Sequence, residues 1–244
     1  MIYKDVDSFL NANSDDVICY CVGTGGCKSL ILNLIKSSNA VGLPVVLFAL
    51  DSIIAGALNG KCDVVMHRSD RVINPSKFYR YNTKDYINVA YQRFPIGDSL
   101  ISNGRTMVYM DVDIVVKEDF RIDILQLHKK TKADCLSQEN ASGKCCLGFV
   151  SMKPTENSCG LLTQDFLDSS DYLSFSKNQD WFNSKVLSKK LLSVDFLDKD
   201  KYPNGSHYYK HSKRIDPVCK IIHFNCMVGK KAKIKKMKRH GYWE

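Results

Sequence analysis

Apolar, β-branched runs alternate with amphipathic stretches along this chain, and no other feature restricts its fold as tightly. The segment "DVICYCV" (16–22) reads as a strand and leads through the glycine turn "GTGGCKS" into "LILNLIKSSNAVG", an amphipathic helix closed by Gly42. "LPVVLFALD" (43–51) reads as a second buried strand ending on an acid, and "CDVVMH" (62–67) as a third. The stretch "TKDYINVAYQRFPIGDSLISNG" reads as helix with a break near Pro95 and runs into a strand, "RTMVYMDVDIVV". Further strands are expected at "ADCLS" and "LGFVSMKP". Further helices are expected at "ENSCGLLTQDFLDSS", at "QDWFNSKVLSKK" and in the basic stretch near the C-terminus. Apolar runs alternating with helices predict a three-layer α/β domain with a largely parallel sheet. No internal repeat or low-complexity linker interrupts it, so residues 1–244 read as one domain.

A sheet of this kind binds ligands beyond the carboxyl ends of its strands. The glycine turn after the first strand, Asp51 after the second, and Asp111 with Asp113 all fall at such ends, so they are expected to share one crevice. Asp111 and Asp113 are the sharpest signal, because two carboxylates in an apolar run carry a desolvation cost of several kcal/mol per ion. A divalent cation is the simplest compensation. Oxygen ligands suit a hard ion, Mg²⁺ or Mn²⁺, that keeps positions open for phosphate. Alternation along a strand allows both acids to face one side. Capping of the strand with lysine partners is the competing reading.

Charge and cysteine usage narrow the setting. The formal net charge is +9. The segment "GKKAKIKKMKRH" (229–240) holds seven Lys and Arg and no acid, so nine minus seven leaves +2 for the rest. The basicity therefore belongs to one segment, either a solvated helix face or a contact for phosphates. Of ten cysteines, Cys19, Cys21, Cys62, Cys135 and Cys146 lie in or beside apolar runs, and no paired CxxC knuckles appear. There is no secretory h-region and no run of about 18 uncharged apolar residues. A reducing, cytoplasmic environment without stable membrane insertion is expected.

"VYMDVDIVV" resembles the DxD strand of GT-A glycosyltransferases, and more narrowly the chain resembles the nucleotide-diphospho-sugar transferase family that includes plant cell-wall xylosyltransferases and giant-virus enzymes. The resemblance spans roughly residues 16 to 243. It rests on "VVLFALDS", on the glycine of "SNGRTMVYMDVDIVV" seven residues before the first Asp, on "NQDWFN", on "KYPNGSHYY", and most specifically on "IIHFNCMVGKKAKIKKMKRHGYW". It implies a GT-A fold, a mixed but mostly parallel sheet with helices on both faces.

It also implies site residues. His223 would join Asp111 and Asp113 on Mn²⁺ or Mg²⁺, and Gly229 with Lys230 would face the diphosphate, the choice among Lys230, Lys231 and Lys233 staying open. Thr24, Gly25, Gly26, Asp51, Arg93 and Val112 match the nucleotide pocket, and Asp180 with Gln179 would lie at the reacting carbon. Asn178 stands where relatives usually have Asp, and Cys146 where they usually have Asn, so the donor sugar and stereochemistry stay open. Asp134 and Glu139 are further candidates for sugar hydroxyls, with solvation the competing reading. The implied activity is metal-dependent transfer of a sugar from a nucleotide-diphosphate donor, UDP-linked in the first instance, to a glycan or glycoprotein hydroxyl.

Three alternatives compete. "DVDIV" also fits the nucleophile loop of haloacid-dehalogenase-type phosphatases, with Asp111 as nucleophile, although no clear acidic pair follows "LGFVSMKP". A degenerate transferase would bind the donor without turnover. A nucleic-acid-binding role for the basic segment leaves the acids unexplained, and no nucleic-acid partner is expected.

Overall fold

The computed structural model describes residues 1–69, 77–79, 81, 83–140, 143–175 and 177–243. Its strands are β1 (Ile2–Tyr3), β2 (Val17–Gly23), β3 (Val46–Ala49), β4 (Val64–Met66), β5 (Thr106–Met110), β6 (Ile114–Val116), β7 (Cys135–Glu139), β8 (Cys145–Met152), β9 (Val194–Phe196) and β10 (Ile221–His223). The main sheet runs β1-β4-β3-β2-β5-β8-β7-β9, and β6 pairs with β10 in a separate two-stranded sheet. Pairings from β1 to β5 are parallel, those of β8 with β5 and β7 are antiparallel, and β9 joins β7 in parallel. From β2 the chain first builds outward through β3 and β4, then returns to β5 on the other side. The switch point therefore lies between β2 and β5, where such sheets place ligands.

Strand β2 shows why the layers form. Ile18, Tyr20 and Val22 point into one core with Tyr91, Phe94 and Trp181, whereas Val17, Cys19 and Cys21 point into the other with Ile31, Leu34 and Ile124. Side chains alternate across the sheet and both faces are covered, so the strand is apolar throughout. The first face is packed by α1 (Val6–Ala12), α4 (Lys84–Tyr91), α5 (Arg93–Ser102), α7 (Gln164–Ser169) and α8 (Asn178–Phe182). The second is packed by α2 (Lys28–Ala40), α3 (Ser52–Leu58) and α6 (Arg121–Thr131). Helices α9 (Gly205–Ile215) and α10 (Lys230–Arg239) close a smaller core around Phe224 and Met237. All ten cysteines are free thiols.

Three sequence expectations shift. The expected strand through "MDVDIVV" ends at Met110; Asp111–Asp113 form a turn closed by Ile114 N–H donating to the Asp111 carbonyl at 3.1 Å. The acids therefore sit beyond the strand, and their common direction comes from a turn. The helix expected over 156–170 forms only at Gln164–Ser169, capped by the Thr163 hydroxyl. Upstream, Ser158 bonds locally to Thr155 and Lys153, and Gly160 takes φ +73°, both of which oppose helix. The break near Pro95 falls at Gln92, which leaves the proline in the first turn of α5, where its missing N–H is harmless.

His128 on α6 is a buried histidine with fixed roles. Its Nδ1 donates to the Ala133 carbonyl at 3.1 Å, and its Nε2 accepts from the Ser151 hydroxyl at 2.9 Å. Burial pushes its pKa down to about 4. The folded state thus binds fewer protons than the unfolded chain between about pH 4 and the ordinary histidine value. The stabilisation is complete above about pH 6.5 and is lost as pH falls toward 4, by about 3 kcal/mol. Urea unfolding from pH 7 to 4 is expected to show this loss, and His128→Gln to flatten that part of the profile. An unchanged slope in the variant would refute the assignment.

Candidate active site

The site is built where the chain leaves β5. Strand β6 pairs antiparallel with β10, and the register sets His223 opposite Ile114, beside Asp113. The Phe224 N–H donates to the Asp113 carbonyl at 2.9 Å and locks that register. The Asp111 N–H donates to the Gly148 carbonyl at 2.7 Å, which fixes the turn to β8. In consequence one ligand atom each from Asp111, Asp113 and His223 lies within 4.8 Å of the others. His223 Nε2 is 3.6 Å from Asp111 Oδ2 and 3.5 Å from Asp113 Oδ1.

The neighbours decide which atoms face inward. The Gln138 side-chain amide donates to the carbonyls of Tyr202 at 3.1 Å and Pro203 at 3.0 Å, so its Oε1 is the acceptor for His223 Nδ1 at 2.9 Å. Nδ1 therefore carries hydrogen, and in the neutral ring Nε2 presents a lone pair. Nε2 is buried and has no hydrogen-bond partner among the described residues. On the other side, Asp111 Oδ1 accepts from the Tyr109 hydroxyl at 2.7 Å and faces Arg93 Nη2 at 3.3 Å, leaving Oδ2 for the centre. Lys233 Nζ lies 2.6 Å from Asp113 Oδ2, leaving Oδ1.

The charges are mutually held. Burial raises both carboxyl pKa values, but Arg93 and His223 beside Asp111, and Lys233 and His223 beside Asp113, outweigh it and keep both below the usual carboxylate range. Burial lowers the His223 value, and Asp113 with Asp111 more than reverses it. Asp111, Asp113 and His223 would hold a divalent ion in competition with the proton that the acids otherwise draw onto the imidazole. The donor set of two carboxylates and an imidazole, with a buried nitrogen aimed at two oxygens, fits such an ion. Gly148 makes the room: a Cβ there would lie 2.0 Å from His223 Cε1, 2.7 Å from Nε2 and 2.8 Å from Asp111 Oδ2.

A cavity of about 570 Å³ opens above this centre. Arg93, Asp111, His223, Gly229, Gln179 and Asp180 line it, as do Lys233, Asn178 and Cys146. The "NQDWFN" segment reaches it because its other side is anchored: Trp181 and Phe182 are fully buried, and Asn183 bonds to Cys145 and to the Gln179 carbonyl. Asn178 is buried too, and its amide nitrogen has no hydrogen-bond partner among the described residues.

The remaining expected residues lie elsewhere. Asp51 accepts from Ile54 N–H at 2.9 Å and from Gly25 N–H at 2.8 Å, so it caps α3 and fastens the glycine turn. Thr24 is fully buried, and a Cβ on Gly26 would lie 2.1 Å from the Lys77 carbonyl oxygen, so chain backbone covers that turn. Lys230 donates to the Gly26 carbonyl at 3.2 Å. Val112 is half-buried between the second core and the one below α9 and α10. None of these residues lines the cavity. Arg93 is buried, not solvated, with Nε on the Ala90 carbonyl at 2.7 Å and Nη1 on that of Leu147 at 2.8 Å. Asp134 binds Ser193, and Glu139 pairs with Lys199. Sequence reasoning missed Tyr109, Gln138 and Gly148 altogether.

The family model for nucleotide-diphospho-sugar transferases matches residues 43–237. The chain belongs to that family. Among curated proteins, UDP-galactose:fucoside alpha-3-galactosyltransferase of Dictyostelium discoideum is 24% identical over 204 residues, 71% of this chain and 32% of that one. The glycosyltransferase GlyE of Streptococcus pneumoniae TIGR4 superposes with a TM-score of 0.59 at 14% identity, over 88% of this chain and 55% of that one. Mouse xyloside xylosyltransferase 1 in its apo form gives 0.53 at 13% identity, over 86% and 98%. These structural likenesses show that the family member described here has the α/β GT-A fold. It spans about a third of the Dictyostelium relative and about half of GlyE.

Proposed function

We propose that this transferase-family chain is a metal-dependent glycosyltransferase that moves a sugar from a UDP-linked donor to a hydroxyl of a glycan or glycoprotein, within one catalytic domain. The observation that carries the reading is the buried, unpartnered His223 Nε2 facing one free oxygen from each of two carboxylates. The family match and the nucleotide-sugar in the Dictyostelium relative's name support the donor class. A mixed imidazole and carboxylate set favours Mn²⁺ over Mg²⁺. A phosphatase using Asp111 as nucleophile is not favoured, because Tyr109 and Arg93 hold one oxygen and the other faces His223.

Asp111 Oδ2, Asp113 Oδ1 and His223 Nε2 would hold the ion. When bound, it supplies charge neutralisation to the departing diphosphate. The protein's own charges prepare the site for this role. Arg93 and Lys233 balance Asp111 and Asp113, so the formal charge is zero once the imidazole has given up the proton that the ion displaces. A divalent ion then makes it +2, matched to a diphosphate. Gly229, at φ +96°, opens α10 on the cavity wall, and the start of a helix favours an anion. Asp180, half exposed on the cavity wall with Lys177 3.9 Å away, is placed to stabilise positive charge on the sugar or to take the acceptor's proton.

A panel of nucleotide-sugars with Mn²⁺, read by thermal shift and by release of nucleoside diphosphate, tests this. One donor is expected to raise the melting temperature only with the metal, by the equivalent of about 2.7 kcal/mol at a hundredfold excess over its Kd. No metal-dependent shift with any donor would refute it. Asp180→Asn is expected to keep donor binding and lower turnover about a hundredfold or more. Unchanged kcat would remove Asp180 from the reaction.

A further inference from the structure

The basic segment is only partly used by the site. Lys230 and Lys233 point inward from the first turn of α10, whereas Lys231, Lys235, Lys238 and Arg239 are exposed, at positions i, i+4, i+7 and i+8 of one face. Helix α9 packs alongside through Tyr208 and Tyr209 against His240, and Lys236 Nζ lies 4.3 Å from the Tyr209 ring. Lys210 and Lys213 of α9 are exposed as well. Among the described residues none of these six has a carboxylate within ion-pair distance, whereas Arg214 and Lys117 nearby are paired with Asp200 and Asp216.

Helix stability does not account for the pattern. Like charges four apart repel, and lysines in a first turn oppose the helix dipole. What holds α10 is its inner side, where Met237 is fully buried and Ile234 packs. The outward charge must answer to something outside. The outward residues of α10 are Lys231, Ala232, Lys235, Lys238 and Arg239, with no amide, hydroxyl or aromatic group to read or stack on a base. Predominantly lysine, they are point charges suited to a diffuse anionic surface. No helix among the described residues is long and apolar enough to cross a membrane.

We propose that the outer face of α9 and α10 docks the protein onto an anionic phospholipid surface, independently of donor binding in the cavity. The full chain is tested by sedimentation with vesicles of phosphatidylcholine alone or with about 30% phosphatidylserine. Wild type is expected to sediment only with the anionic vesicles, and to be released between about 0.1 M and about 0.5 M salt. The combined variant Lys213→Gln, Lys235→Gln, Lys238→Gln and Arg239→Gln keeps helix-forming side chains and is expected to lower partitioning about a hundredfold. Its thermal shift with Mn²⁺ and UDP is expected to match wild type, which reports folding and the cavity separately. Equal binding to neutral vesicles, undiminished partitioning of the variant, or displacement from vesicles by duplex DNA at equal phosphate concentration would each overturn the proposal, the last in favour of nucleic acid.

Discussion

Gly148→Ala is expected to abolish tight Mn²⁺ binding while the protein still folds. The added methyl would sit 2.0 Å from His223 Cε1 and 2.8 Å from Asp111 Oδ2, nearer than any real Cβ approaches. The imidazole cannot swing aside freely, because Gln138 fixes its Nδ1 and the ring is buried. Either His223 or Asp111 must leave its place, and the three ligand atoms no longer converge. Overpacking of this kind costs about 1–3 kcal/mol of stability. Metal affinity should fall at least about a hundredfold, since displacing even supporting groups costs roughly 10- to 100-fold. Calorimetric titration with Mn²⁺, beside urea unfolding of the metal-free protein, separates the two effects. Wild-type Mn²⁺ affinity in a folded variant would show that the ion binds elsewhere.

The two acids are expected to differ sharply in what they do for the metal-free fold. Asp113 is 1% exposed and faces Lys233 Nζ at 2.6 Å, whereas Asp111 is 29% exposed. Asp113→Ala leaves the half-buried Lys233 ammonium without its counter-charge, and breaking a pair whose carboxylate is buried costs up to about 3–5 kcal/mol. Asp111→Ala leaves Arg93 with two backbone carbonyls and the face of the Tyr109 ring, 4.1 Å away. Its cost should be smaller by about 2 kcal/mol or more, since Arg93 keeps those partners. Both variants lose the ion. Urea midpoints without metal check the difference, and Asp113→Ala combined with Lys233→Met should recover much of the loss. Equal midpoints for the two single variants would contradict the pairing.

Much of this architecture is legible in the sequence because the sheet is covered on both sides. A strand such as "DVICYCV" cannot be polar on either face, so the parallel layer is written as continuous apolar runs. The placement of the acids at a strand end is readable for the same reason. Their turn geometry is not, because it depends on β6 leaving the main sheet to pair with β10, more than a hundred residues later. Gly148, Gln138 and Tyr109 act through contacts between distant segments, and nothing local in "CCLGF" or "DCLSQEN" announces them. Helical spacing alone presents Arg93 as a surface or ligand cation; its three carbonyl and carboxylate partners come from three elements. Asp51 is different. An acid directly before "SIIAGAL" is a helix-start signal, and it can be read as the cap it is.

The proposed metal centre stands on three atoms, and a crystal grown with Mn²⁺ and UDP measures them directly through anomalous scattering. A single strong peak is expected within about 2.0–2.3 Å of Asp111 Oδ2, Asp113 Oδ1 and His223 Nε2, with phosphate oxygens completing the coordination. A peak bound to the nucleotide alone, or to other side chains while these three kept their present contacts, would contradict it.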